Sequence, residues 1–263
     1  MHELATKYVK YPQLALITKY AKDSHYSQQL DVYHNWEHVE KMLNMLSEVV
    51  EEQKLIELSP KMYLCLYIAI LYHDADYVPC DVNNEERAME LVKNLYKQPH
   101  IKQCGLEELM ENVGKYAAFL IGSTKSHVHC VNNIEYLDNK AVALLHDLDY
   151  MGFATEYELG CNSDDVDLTN ELKLENEYFG ILPHNPNDET KFCSNRLMFL
   201  QSLARSINNN KYLYVSDCFR DLDLKAYINI VKLQKYYANR LAYLEVQEAA
   251  IQDKQYEYEE KEL

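Results

Sequence analysis

An all-α fold is what the sequence predicts, and three observations predict it. Only 6 Gly and 6 Pro are spread over 263 residues, which is too little turn punctuation for many short strands. Val39, Met42, Leu43, Leu46, Val49 and Val50 form an apolar stripe at helical spacing, the mark of a helix with one buried face. Ser59 followed by Pro60 opens a second helix, because Ser caps and Pro is tolerated in a first turn; the apolar run 62–72 continues it.

In chain order, the stripe predicts a helix over 37–51, and the Ser-Pro start predicts one from Lys61 to Asp74. The segment 79–84 is polar and reads as a loop, with Asn83 or Asn84 placed to cap a helix over 85–97 that ends before Pro99. A helix is expected over 106–121 despite the cost of Gly114 in its interior, and another over 134–152 with Gly152 as terminator. Residues 153–172 are less regular. Cys161 to Asp167 lacks the Gly and Glu of a calcium loop and reads as a capped surface loop. Helices follow over 173–179, 191–207 and 222–252, and the acidic tail 253–263 is expected to fray. No repeat or interior linker divides the chain, so 1–252 is expected to form one helical domain.

Composition narrows the partners. The chain carries 42 Asp+Glu against 26 Lys+Arg, a formal net charge of -16, so extended nucleic acid is not an expected partner. The seven cysteines, scattered and with no Cys-x-x-Cys pair, read as reduced thiols of a cytoplasmic protein. The first residues lack the apolar core of a signal peptide, and the run 62–72 falls short of the roughly 20 apolar residues a membrane span needs, so no membrane is expected either. The exposed C-terminal helix could pack against a second copy, giving a homo-oligomer.

Chemistry concentrates in three short pieces. His73 and Asp74 end the apolar run 62–72, and a carboxylate leaving a buried helix needs a charge or a metal as partner. Imidazole plus carboxylate suits a first-row divalent ion better than calcium. His34 and His38 are four apart, so on a helix they share a face with Cβ atoms about 5–6 Å apart. Asp147 and Asp149 form the third piece; on a helix they point roughly 200° apart. One can face a metal while the other orients a ligand or caps backbone. Together the pieces offer two nitrogens and two oxygens from three helices, enough for a mononuclear centre with open positions for water.

These pieces resemble the HD superfamily of metal-dependent phosphohydrolases. The likeness is greatest to a small predicted-phosphohydrolase branch of it and covers about 33–220. It is carried by Tyr33, His34, Asn35 and His38; by His73, Asp74 and Tyr77; by Asn84, Glu85, Glu86 and Arg87; by Thr124 and His127; and by Asp147, Asp149 and Gly152. Glu177 with Tyr178, and Arg196 with Phe199 and Leu200, extend it. The chain departs from the branch at Tyr150 and Met151, where aliphatic residues are usual, and at Glu175, where an Arg is common.

The resemblance implies an HD-domain-like helical bundle with additional C-terminal helices, its metal core in 33–152. It implies His38, His73, Asp74 and Asp149 as metal ligands, with a divalent ion (Mn, Mg, Co, Ni, Fe or Zn) as cofactor. A small phosphorylated metabolite, a nucleotide among the candidates, would be hydrolysed by metal-activated water. Glu85 is the candidate for positioning or deprotonating that water; its other reading is a first-turn Glu stabilising a helix N-terminus. His34 and His127 could contact phosphate or bind a second metal, and Lys125 and Arg87 could neutralise phosphate charge. Trp36 and Tyr77 could stack on a base, or serve as core. Two other functions fit the same residues: an HD-type di-iron oxygenase, which needs His34 and His127 as further ligands, and a non-catalytic metal- or nucleotide-binding module.

Overall fold

The computed structural model of the chain describes residues 3–7, 9–26, 32–79, 81–125, 140–155, 168–180, 186–209 and 212–259. His127, the loop 161–167 and Cys80, Cys130 and Cys161 lie outside them. The fold is all-α, and no strand occurs among the described residues. In order the helices are α1 (Glu3–Thr6), α2 (Tyr11–His25), α3 (Trp36–Ser47), α4 (Pro60–Tyr72), α5 (Asn84–Lys93), α6 (Pro99–Gln103) and α7 (Glu107–Thr124). They continue with α8 (Lys140–Asp149), α9 (Gly152–Thr155), α10 (Thr169–Phe179), α11 (Pro186–Asn208) and α12 (Asp223–Glu259). A π-helical turn (Glu48–Glu52) follows α3, and short 3-10 turns cover Leu95–Lys97 and Asp217–Leu222. No helix among the described residues is long and apolar enough to cross a membrane.

The arrangement follows from α4. Every residue from Tyr63 to Tyr72 is buried, so this helix has no polar face to offer solvent and must be enclosed on all sides. Helices α1, α2, α3, α5, α7 and α8 surround it. Each fully buried Leu or Ile contributes about 1.5–3 kcal/mol, and Leu64, Leu66, Ile68, Ile70 and Leu71 of α4 are all fully buried. Ser59 caps the helix as expected, its hydroxyl accepting from the Met62 amide at 3.2 Å. The ring around α4 is joined to a second layer in which α11 runs along α12 and α9 rests on α12.

Several expectations are corrected by packing. Helix α2 was not among the predicted elements; its Leu14, Ile17 and Ala21 are buried. Neither Asn83 nor Asn84 caps α5 through its side chain. Asn84 instead accepts from the Val78 amide and donates to the Val78 and Asp81 carbonyls, each at 2.9 Å, which folds the 78–84 loop on itself. Gly152 does not terminate a helix: α8 ends at Asp149, and Gly152 begins α9. A Cβ at Gly152 would stand in ordinary contact with Asn170 Nδ2 at 3.4 Å and the Tyr33 hydroxyl at 3.6 Å. Gly114 lies within α7 because α5 passes there backbone to backbone, and a Cβ would collide with the Val92 carbonyl oxygen. Close packing offsets the roughly 1 kcal/mol a helical Gly costs relative to Ala. Helix α12 runs on to Glu259, through most of the expected tail, since its Glu, Gln and Lys residues favour helix and neither Gly nor Pro interrupts it. The described cysteines Cys65, Cys104, Cys193 and Cys218 are free thiols.

Candidate metal centre

Three helices bring the polar pieces together at the C-terminal end of α4. Asn35 is the N-cap of α3, and its side chain accepts from the His38 amide at 3.2 Å, which fixes the first turn carrying that histidine. His73 is the C-cap residue of α4. Its Nδ1–H donates to the Ile70 carbonyl at 3.0 Å, so Nε2 is the atom with a lone pair to offer. Asp149 ends α8, which packs on both α3 and α4.

The donor atoms converge. His73 Nε2 lies 2.9 Å from Asp74 Oδ2 and 3.8 Å from Asp149 Oδ1. His38 Nε2 lies 3.1 Å from Asp149 Oδ1 and 3.7 Å from Asp74 Oδ2. Ligands about 2.0–2.2 Å from one ion stand roughly 3 Å apart at a right angle and about 3.5 Å at the tetrahedral angle. The four separations fall around those values. One ligand atom from each of His38, His73 and Asp74 lies within 4.8 Å of the others, and Asp149 joins through both histidines.

The local electrostatics match a cation site. His73 is buried, and its Nε2 makes no hydrogen bond; the nearby Asp74 oxygen lies off hydrogen-bonding direction. Burial alone would lower the His73 pKa, but the Asp74 and Asp149 carboxylates outweigh it and raise the pKa well above the ordinary value. Burial works against the Asp74 carboxylate too, and His73 and His34 outweigh it, so its pKa is lowered. The two carboxylates thus favour a positive charge at the buried His73, in the place where a divalent ion fits by donor type and spacing.

Asp147 and Asp149 divide as opposite faces of a helix require. Asp147 is fully buried, and its two oxygens accept from the Val215 amide at 2.7 Å and the Ser216 amide at 2.6 Å. Asp223 accepts from the two preceding amides, Leu213 and Tyr214, at 2.9 and 3.0 Å. Asp147 thus ties α8 to the chain entering α12, and Asp149 alone of the pair faces the histidines.

The other predicted groups fare differently. His34 borders the cluster: its Nδ1 is 2.6 Å from Glu177 Oε2, and its ring stacks on Tyr77 at 3.6 Å between centroids. Arg87 is taken up by Asp81 and Asn84, and Lys125 pairs with Glu86; neither reaches the cluster. Glu85, half-buried in the first turn of α5, makes no bond to the cluster among the described residues. Trp36 packs at the edge of the core.

Beside the cluster lies a cavity of about 270 Å³. Asp149, His34 and Tyr77 form one side of it, and Phe153, Phe199 and Arg196 also line it. Arg196 and Phe199 belong to the pieces that carry the family resemblance, whereas Phe153 and Glu171 were not singled out in the sequence. Arg196 and Phe199 are one helical turn apart on α11, but Glu171, which holds Arg196 through two hydrogen bonds of 2.8 and 2.6 Å, is 25 residues away and carries no sequence signal. Compared with known proteins, the chain matches no family model, no curated protein and no solved structure.

Proposed function

We propose that the chain is an HD-type metal-dependent phosphohydrolase acting on a small phosphorylated metabolite, with nucleotides among the candidates. One observation carries the reading: oxygens of Asp74 and Asp149 lie 2.9–3.8 Å from the Nε2 atoms of both His38 and His73, and His73 Nε2 is buried without a hydrogen bond. The motifs that resemble the HD superfamily contain these same residues.

A bound divalent ion would supply Lewis acidity and a water whose pKa falls from about 15.7 toward 7. The protein does the rest. His38 and His73 present neutral nitrogens, and the Ile70 carbonyl holds the His73 ring in the tautomer that leaves Nε2 free. Asp74 and Asp149 offset the ion's charge. His34 is braced by Glu177 and Tyr77 at the cavity beside Asp149, where it can hydrogen-bond a phosphate oxygen. In a chain of net charge -16, the metal is the main attraction for an anionic substrate.

The test is phosphate release by purified protein with Mn, Co, Ni or Mg, over a panel of nucleotides and general phosphatase substrates. Metal-dependent release that His73→Ala removes is expected. Release without metal, or unaffected by His73→Ala, rejects the reading. One ion per chain is expected, whereas two irons with oxygen consumption would point to the oxygenase.

A further inference from the structure

The cavity beside the cluster has an unusual wall. Arg196 lines it with its guanidinium 5.1 Å from the Phe199 ring centroid and 5.8 Å from that of Phe153. Its Nε and Nη2 are bound to the two oxygens of Glu171, a carboxylate only 4% exposed. The Tyr237 hydroxyl donates to the same Glu171 at 2.8 Å. Arg196 Nη1 has no hydrogen-bond partner among the described residues, although a guanidinium carries five N–H donors in a fixed fork. The fork is therefore rigid, its charge is offset, and one amino group is left to donate.

The rest of the cavity defines what that donor would meet. Tyr33, His34, Tyr77, Tyr150, Phe153 and Phe199 surround it with rings. At about 270 Å³ it falls just below the range of about 300–1,000 Å³ usual for small-molecule sites, which suits one compact flat group. A further phosphate in it would face the carboxylate of Glu171 with no uncompensated positive charge on Arg196.

We propose that Arg196 is a specificity-determining residue. Its Nη1 hydrogen-bonds a carbonyl oxygen or ring nitrogen on the flat, uncharged leaving group of a phosphomonoester whose phosphate lies at the metal cluster. The inference rests on the hydrolytic reading and extends it: the ring wall accepts the plane, Arg196 reads the acceptor, and the offset charge disfavours di- and triphosphates.

The test compares the 3- and 4-acetylphenyl phosphates with the corresponding isopropylphenyl phosphates, which keep the shape and lack the acceptor. The kcat/KM ratio of each pair is measured for the manganese-loaded wild type, for Arg196→Met, and for Arg196→Met combined with Glu171→Gln. The double variant removes the buried charge that the single one leaves unpaired. Leaving-group reactivity is common to all three proteins and cancels when the ratios are compared. A preference for the acetyl compound that falls about tenfold or more in both variants, with manganese affinity kept, supports the inference; that is the scale of losing one hydrogen bond from a charged donor. An unchanged ratio at both ring positions in an active enzyme overturns it and leaves the hydrolytic reading standing. A wild type inactive on all four compounds while hydrolysing nucleoside triphosphates also overturns it. Inactivity on every phosphate ester removes both.

Discussion

Two polar regions in this molecule differ in how their charges are paired. Between α10, α11 and α12, Glu171 spends both oxygens on Arg196 and Tyr237. Nearby, Arg240 bonds Glu175 and Glu189 at 2.5–2.9 Å. Charges there meet opposite charges in bonding geometry. At the end of α4, two carboxylates and two histidines crowd together, and His73 Nε2 goes without a hydrogen bond. The first network holds helices together through paired charges, with only one Arg196 amino group left over; the second leaves a buried nitrogen among carboxylates, the place where we propose that a cation binds. The difference separates a charge-paired clamp between helices from the candidate metal cluster within one all-α fold.

The comparison breaks most sharply at Arg196. Replacing it with Met strands the Glu171 carboxylate and should cost about 3–5 kcal/mol of stability, read by urea denaturation, with manganese affinity unchanged. A matching loss of metal affinity would mean that the two regions are one.

The two aspartates of α8 sharpen the contrast. Asp149→Ala should weaken manganese binding more than about 100-fold, beyond the roughly 10–100-fold typical of removing an outer partner, and cost the metal-free protein only about 1 kcal/mol for its hydrogen bond with His38. Asp147→Ala should do the reverse. It frees the Val215 and Ser216 amides and should cost about 2–3 kcal/mol, given about 1.5–3 kcal/mol for a hydrogen bond to a charged group. Calorimetric titration and thermal melts separate the outcomes; equal effects at both positions would refute the division.

The smallest effect concerns pH. In the metal-free protein the pKa values of His73 and His34 are raised from 6.5 because nearby carboxylates outweigh burial. Their contribution to stability is therefore complete below pH 6.5 and is lost as pH rises through the raised values. Asp74, lowered from 3.8, contributes above that pH and loses its share only as pH falls through its folded value. The metal-free melting temperature should thus decline from pH 6.5 upward. Manganese should reverse the slope, because it binds unprotonated imidazole. A parallel decline with and without metal would place these protons elsewhere.

Much of this was legible in the sequence, for reasons that residues make plain. The run 62–72 announced a helix buried on every side, and Tyr63 to Tyr72 are buried. The angle between Asp147 and Asp149 showed that only one of them could face the histidines. Local pattern could not say that Asp147 would meet the amides of 215 and 216, since that contact spans nearly seventy residues. Arg87 and Lys125 were read from charge and nearness to the motifs, but their carboxylate partners Asp81 and Glu86 decide where they point. Glu171 resembles any other acidic residue in the sequence. Only the packing of three helices makes it the anchor of Arg196.

Gly114 has a consequence well beyond helix propensity. At that point α7 meets the Val92 end of α5 with no side chain between them. The opposite end of α5 carries Asn84, which grips Val78, and next to Val78 is Tyr77, the ring beneath His34. Helix α5 thus links a position that tolerates no methyl group to the loop beside the cavity. An alanine at 114 would push against the Val92 carbonyl, at the other end of the helix that holds the loop of Tyr77.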